Sequence, residues 1–456
     1  MRVLVWVRVC ESDDCRSNLP CVNLHRAIGA WPSKDTATSS AIPPWPELPP
    51  EVADLILRRL PSDTDRIRLD AVCRHWRNHV GRQISLSRWS GLLPDLVDLV
   101  LRRLHSHSDR IRFASVCRHW RHVAGNYSSP PLPPALPWIC SSDGVCQSLP
   151  DGEVHCLRFR DGVSCYGSFG DWLLFKEIGR SHRFLENPLS GATLQLPGQL
   201  YHSRHGYSDS ESELFDILKV VVCSNDLIAA MIRYGDLHSN AIACCRPGMP
   251  VWSGRRRRSG LRCQDMAFHE GNLYAVAIGG DLIVHEVTED SETGEPQVSP
   301  GKQVLQAPPI WDGFDVDLEN SSTCHLVISG TGKLLLVRWF APPNFLDSSR
   351  ELVMQVFEAN FEMEQWLEVE SLDDQVLFLS SNCSKAMSAS AHDDALQANK
   401  IYLIDENTMF WKFWVERCSS ACMYDMRSQT IELITLDERM SYRLEAAWFF
   451  PSSISS

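Results

Sequence analysis

A chain of 456 residues, 44% of them apolar and 22% charged, has ample material for a core and room for two or three domains. Its net charge is −13, and no apolar run approaches the roughly 20 residues that a membrane-spanning helix needs. Seventeen scattered cysteines, odd in number and without a CxxC pair, form neither a zinc framework nor an evident disulfide set, as expected of a reduced, intracellular chain.

Residues 1–44 mix Ser, Pro and Thr without periodicity and are expected to be a disordered leader, with at most a short element at Val3–Val9. The apolar start is broken by Arg8 and lacks a small-residue cleavage site, so it does not read as a signal peptide.

Residues 45–77 and 89–121 are the same segment written twice, 44 apart, with 20 of 33 positions identical. Nothing like them recurs after Trp120, which excludes a solenoid and leaves a duplicated helical module ahead of a different body. In the first copy Pro49-Pro50-Glu51 is a helix start, since proline tolerates the first turn and Glu51 complements the dipole. Val52, Leu55, Ile56 and Leu60 make an apolar stripe, Arg58 and Arg59 sit in the last turn, and Pro61 stops the helix. Ser62 and Asp65 then resemble a capping pair for a second stripe, Leu69, Val72, Cys73, Trp76 and Val80. The second copy repeats both stripes: Leu96, Leu99, Val100 and Leu104, then Phe113, Val116, Cys117 and Trp120. A module of about 40 residues is marginal alone, so the leftover Leu57 and Leu101 are expected to bury against something outside it.

The run LPPEVADLILRRLP followed by DRIRLDAVCRHWR resembles the F-box, the helical motif that docks onto the Skp-family linker of cullin–RING ubiquitin ligases. The resemblance implies three helices per copy, over residues 45–82 and 89–126. It places linker contacts at Leu48, Pro49, Leu55, Ile56, Leu57, Leu60, Val72 and Trp76, and at Leu92, Pro94, Leu99, Val100, Leu101, Leu104, Val116 and Trp120. Residues 45–124 hold 14 Arg, no Lys and nine acids, so this stretch is near +5 and the remainder near −18. A basic module suits an acidic partner, and the family implies one; nucleic acid is the weaker explanation, because many of these arginines close helix last turns. Cys73, His75 and His79, with Cys117, His119 and His122, could suggest a metal, but both cysteines lie on apolar stripes and read as small hydrophobes. No metal or cofactor is expected.

Residues 127–138, with SSPPLPPALPW, form a proline-rich linker expected to be extended and crossed by few contacts. From there the periodicity becomes strand-like to the end. Trp172–Lys176, Leu218–Val222, Leu227–Arg233, Leu273–Ile278, Leu282–Val287, Leu334–Trp339, Val353–Ala359, Val376–Leu379, Ile401–Ile404 and Ile431–Thr435 are expected strands. Strand–turn–strand units turn near 187, 246, 360 and 425, with room for another around Val287–Gln297. Steps of about 40–70 residues suit a β-propeller over 139–456, kelch-like and of about six blades; a β-sandwich is the alternative.

CYGSFGDWLLF, FLENPLSGATLQLP and DMAFHEGNLYAVAIGGDLIVHEV resemble the plant F-box family that carries the domain of unknown function 295, called KIB-like. That family couples one F-box to a propeller-like domain; the departure here is the second F-box, the extra copy being 45–80.

No catalytic pattern is found. Ser329-Gly-Thr-Gly-Lys333 lacks phosphate-loop spacing and reads as a hairpin turn, no G-x-S-x-G or H-E-x-x-H occurs, and Asp373-Asp374 and Asp393-Asp394 sit in polar loops. Arg255–Arg258 reads as an exposed loop, with nuclear import or an acidic contact as sharper alternatives. The expected function is a non-enzymatic substrate adaptor of an SCF-type ligase, in nucleus or cytoplasm, whose propeller binds an unknown target protein; a ligase-independent scaffold or inhibitor is the alternative. Motif quality favours the first F-box and nearness to the propeller favours the second.

Overall fold

The change of periodicity near residue 130 separates two kinds of structure. The computed structural model describes Ile56, residues 92–126 and most of 131–451 (apart from 150, 180–181, 203–214, 225–226, 235–239, 255–261, 292–293, 310–321, 341–352, 405–420 and 441–445). Ile56 is helical and half-buried; the rest of the first repeat, the leader and Arg255–Arg258 lie outside the described residues.

The second repeat makes three nine-residue helices, α1 (Pro94–Arg102), α2 (His107–Ser115) and α3 (Arg118–Asn126). The second apolar stripe is therefore not one helix. It breaks at Val116, whose N–H turns back to Phe113 O, and Cys117 starts α3 by accepting the Trp120 N–H on its sulfur at 3.4 Å. Phe113 stacks on Trp120 with ring centroids 4.4 Å apart, and Val97, Leu101, Val123 and Ala124 are buried. Residues 103–107 group with 131–455 as one compact unit, and the remaining described helical residues group as the other.

The larger unit is a ring of six sheets. The chain ends pair to close it: Ala446–Phe449 runs antiparallel to Trp138–Ser141, so the first blade is built from both ends of the domain. Blades two and five are four-stranded meanders whose inner strands are Val163–Phe169 and Ser322–Ile328. The third adds Gln199–His202 parallel to its outer strand Val251–Gly254. In the fourth, Leu282–Glu289 pairs with both Pro296–Val298 and Lys302–Leu305, with Gly301 between them. A Cβ at Gly301 would lie 2.5 Å from Ile283 Cγ2 and 2.6 Å from His285 Cε1, so only glycine permits that approach. The sixth departs from the meander, placing Ser384–Ser388 at the sheet edge and joining Gln375–Leu379 to Lys400–Ile404 in parallel across a 3-10 turn, Ser390–Ala395.

The core is not central. It consists of six apolar clusters, one between each pair of neighbouring blades. Leu173 and Phe175 face the first blade while Leu174 faces the third, because successive side chains of a strand point to opposite sides. Both faces of a blade are thus buried, which is why the strands read as continuous apolar runs rather than alternating ones. Three indoles each reach back toward the preceding blade: Trp252 Nε1 donates to Pro197 O at 2.9 Å, Trp366 Nε1 to Gly280 O at 3.1 Å, and Trp448 Nε1 to Leu379 O at 2.8 Å.

One buried carboxylate does the same for three blades. Asp265, on the inner strand Cys263–His269, accepts Lys219 Nζ from the inner strand Phe215–Ser224 at 2.5 Å and the Leu326 N–H from the fifth blade at 2.8 Å. Both members of the ion pair are at most 5% exposed, and burial pushes the carboxyl up from its ordinary range while Lys219 and two backbone donors pull it down.

Two expectations are corrected. The proline segment is not a bare spacer: Ala135 and Leu136 are buried, Leu136 N–H donates to His105 O at 3.0 Å, and Pro134 O lies 2.8 Å from His392 Nε2. The cysteines are not all free either. Cys140 and Cys146, directly opposite on paired strands with Cα atoms 4.1 Å apart, form a disulfide. A hairpin pair of this kind leaves no spacing signature in the sequence.

Candidate docking surface

Helix α1 begins at Leu92-Leu93-Pro94-Asp95, where the Leu96 and Val97 N–H groups close on Leu93 O and Asp95 stands in the positive first turn. Asp98 and Arg102 then pair at 2.7 Å across one turn. His119 Nε2 lies 2.9 Å from Leu92 O, which ties α3 to the start of α1.

This helix carries two apolar stripes. Val97 and Leu101, both 0% exposed, face inward, whereas Leu93, Leu96, Leu99 and Val100 face solvent at 66, 45, 54 and 40% exposure. Ile111 of α2 and Val116 of the α2–α3 turn are also exposed. A monomer gains nothing from a solvated row of leucines, so this face is suited to burial against another molecule.

The sequence-predicted contacts therefore divide. Leu99, Val100 and Val116 are on the exposed face, and Leu92, Pro94 and Leu104 are half-buried. Leu101 and Trp120 are already covered within the chain. Of the first copy's contacts only Ile56, the counterpart of Val100, is described; Leu48, Pro49, Leu55, Leu57, Leu60, Val72 and Trp76 lie outside the described residues. Leu93 and Ile111 carry the exposed patch further than the sequence reading did. The signal was present, since both are large apolar residues that neither stripe absorbed.

The helical unit is basic in composition. Arg118 and Arg121 are exposed, while Arg112 is paired with Asp109 at 3.0 Å. Arg110 is wholly buried, and desolvation pushes its guanidinium down to about 10. An exposed apolar strip on a basic helical unit fits a partner surface that is apolar and acidic.

Elsewhere, Ser329, Lys333 and Asp374 have structural partners, while the side chains of Asp393 and Asp394 and all of Cys73, His75 and His79 lie outside the described residues. Ser329 to Lys333 is the turn between two strands of the fifth blade, with Lys333 N–H on Ser329 Oγ and Lys333 Nζ paired to Glu358 at 2.8 Å. Asp374 accepts from the Ser388 and Ser390 hydroxyls and the Ser390 N–H, and these bonds hold its carboxyl below its ordinary range. Among the described residues no three His, Cys, Asp or Glu side chains are grouped to hold a metal, and no helix is long and apolar enough to cross a membrane.

A helical docking module followed by a six-bladed propeller defines an F-box protein with a C-terminal propeller. The F-box-like model matches residues 45–88 and the F-box model residues 89–129, so both copies carry the motif. The KIB1-4 β-propeller model matches residues 146–425, and the chain belongs to that family. No curated protein matches it. Several solved structures are similar at low identity and low TM-score. A PL25 ulvan lyase shares 12% identity over 46% of this chain and 51% of its own, with a TM-score of 0.26. Apo AztD from Citrobacter koseri shares 10% over 68% and 96%, at 0.29. The Cps50 (Swd1) propeller of Myceliophteria thermophila shares 9% over 65% and 79%, at 0.27. This chain spans about half the length of the lyase.

Proposed function

We propose that the chain is a substrate-recognition adaptor of an SCF-type cullin–RING ubiquitin ligase. F-box domains generally bind Skp1-type linker subunits, and the observation that supports this role here is the row Leu93, Leu96, Leu99, Val100 with Ile111 and Val116, exposed on a module that otherwise has a closed core. The propeller holds the target protein, and the chain performs no bond chemistry itself. It raises the effective concentration of a target lysine beside the ubiquitin-loaded enzyme. Such ligases act in the nucleus and cytoplasm, where this chain is placed on the same reading.

The second F-box is the working copy in this proposal. It directly precedes the propeller in the chain, and only residues 78–88 separate the copies, too few for two linker subunits side by side.

The test is co-purification of the full chain with a recombinant Skp-type linker, with the complex mass measured. One linker per chain is expected, lost on Leu96→Asp with Leu99→Asp and retained on Leu55→Asp. Two linkers per chain, or loss only with the first-copy variant, overturns the assignment of the copy; no linker at all overturns the adaptor reading and favours a ligase-independent scaffold.

A further inference from the structure

Outside the helical unit, five large apolar side chains are exposed among the described residues: Ile178, Phe361, Met363, Leu367 and Leu433. Three of them belong to one hairpin, the outer pair of the fifth blade, Val353–Asn360 with Gln365–Glu368. The other two, Ile178 and Leu433, are single residues of the second and sixth blades, so among the described residues this concentration is specific to one hairpin.

The hairpin tip is held in a fixed shape. Met363 N–H donates to Asn360 Oδ1 at 2.8 Å, bracing the turn. Phe361 leans on the neighbouring blade, its ring 5.4 Å from that of Tyr274 and 6.5 Å from that of His269, with the two latter rings nearly buried. The phenyl group is thus an anchored platform with 38% of its surface open, beside Met363 at 62% and Leu367 at 37%. A rigid aromatic next to a flexible thioether is a good receiving surface, because little conformational freedom is lost on contact.

The hairpin's own charges have one sign. Residues 358–370 contain five glutamates and no lysine or arginine. Glu358 is paired with Lys333, but Glu362 and Glu364 flank Met363 as exposed carboxylates, and exposed Glu270 stands in the turn beside His269 and Tyr274. An apolar centre with a carboxylate rim selects a ligand of the inverse pattern, one or two large apolar side chains flanked by lysine or arginine. Nucleic acid and anionic membranes are repelled by the same carboxylates.

We infer that the paired turns His269–Asn272 and Asn360–Gln365 form a docking surface for a short basic segment of another protein, with a leucine- or phenylalanine-type side chain seated on Phe361 and Met363. Calling that protein a ubiquitination target rests on the adaptor reading; the binding itself does not.

The experiment uses the full chain and fluorescent peptides of about 12 residues, long enough to cross two turns. One alternates Arg and Lys with two Leu and a Phe, a second carries Glu in place of each basic residue, and a third carries Ser in place of each apolar one. The basic–apolar peptide is expected to bind, with affinity falling as ionic strength rises, and the other two at least about tenfold more weakly. Phe361→Ala, and Glu362→Lys with Glu364→Lys, should each weaken the first peptide by about tenfold with unchanged melting midpoints. Equal binding by the variants, equal binding of the acidic peptide, or self-association of the chain through this hairpin overturns the inference. Linker-subunit binding measured on the same variants reports separately on the adaptor reading, since those changes leave α1 untouched.

Discussion

The helical unit and the propeller solve the burial problem in opposite ways. Residues 92–126 expose six large apolar side chains in 35 residues, whereas the described part of 131–451 exposes five. The propeller closes on itself and packs both faces of each blade against its neighbours, so most of its apolar surface is used internally. Three nine-residue helices cannot do this; they bury one stripe and leave the other for a partner.

The largest expected effect is on the self-sufficient half. Lys219→Met leaves Asp265 buried without its cation and should cost about 3–5 kcal/mol. Urea unfolding followed by tryptophan emission would show it, and a loss below about 1 kcal/mol would mean that the three inner strands do not depend on the pair.

Next comes the core of the helical unit. Leu101→Ala should destabilise that unit by about 2–5 kcal/mol, as expected for a fully buried leucine. Hydrogen exchange over residues 94–126 should rise while the propeller strands stay protected. If exchange is unchanged and only linker binding is lost, Leu101 is a contact residue after all.

Leu99→Asp sharpens the contrast from the other side. At 54% exposure it should leave melting unchanged yet weaken linker-subunit binding by about 2 kcal/mol or more, roughly 30-fold or beyond, measured by calorimetry.

The smallest effect concerns a local tie in the sixth blade. Lys400 Nζ donates to Asp425 at 2.5 Å and, with nearby backbone N–H groups, holds that carboxyl at about 2. A folded value below the unfolded one near 3.9 means that the stabilisation is present above pH ~4 and is lost as pH falls toward ~2. Asp425→Asn should therefore cost about 1 kcal/mol or less at pH 6 and progressively less in acid. A difference that grows in acid would reverse the sign of the argument.

Much of this was legible in the residues. The expected strands Leu334–Trp339 and Val353–Ala359 match Leu334–Phe340 and Val353–Asn360, and the anticipated hairpin near Val287–Gln297 is the pairing of Leu282–Glu289 with Pro296–Val298. Strand and turn residues act locally, so their pattern survives without knowledge of the fold. The direction in which an apolar stripe faces does not. The periodic row Leu96, Leu99, Val100 is the most regular in the helical unit, yet it points outward, and the less conspicuous pair Val97 and Leu101 is the core. Periodicity marks a helix face as apolar; it carries no information on whether the covering atoms come from the same chain.

By itself, then, the sequence determined the duplicated F-box, the helical and strand halves, and a propeller of about six blades, because these rest on repeats, spacing and turn chemistry within short windows. Tertiary structure alone decided the closure of the ring by residues 446–449, the exchanged strand order of the sixth blade, the Cys140–Cys146 disulfide and the three-blade reach of Asp265. It also seated Phe361 on Tyr274, some 87 residues earlier in the chain. Each of these joins residues whose partners are set by register and distance in space, and no local pattern encodes them.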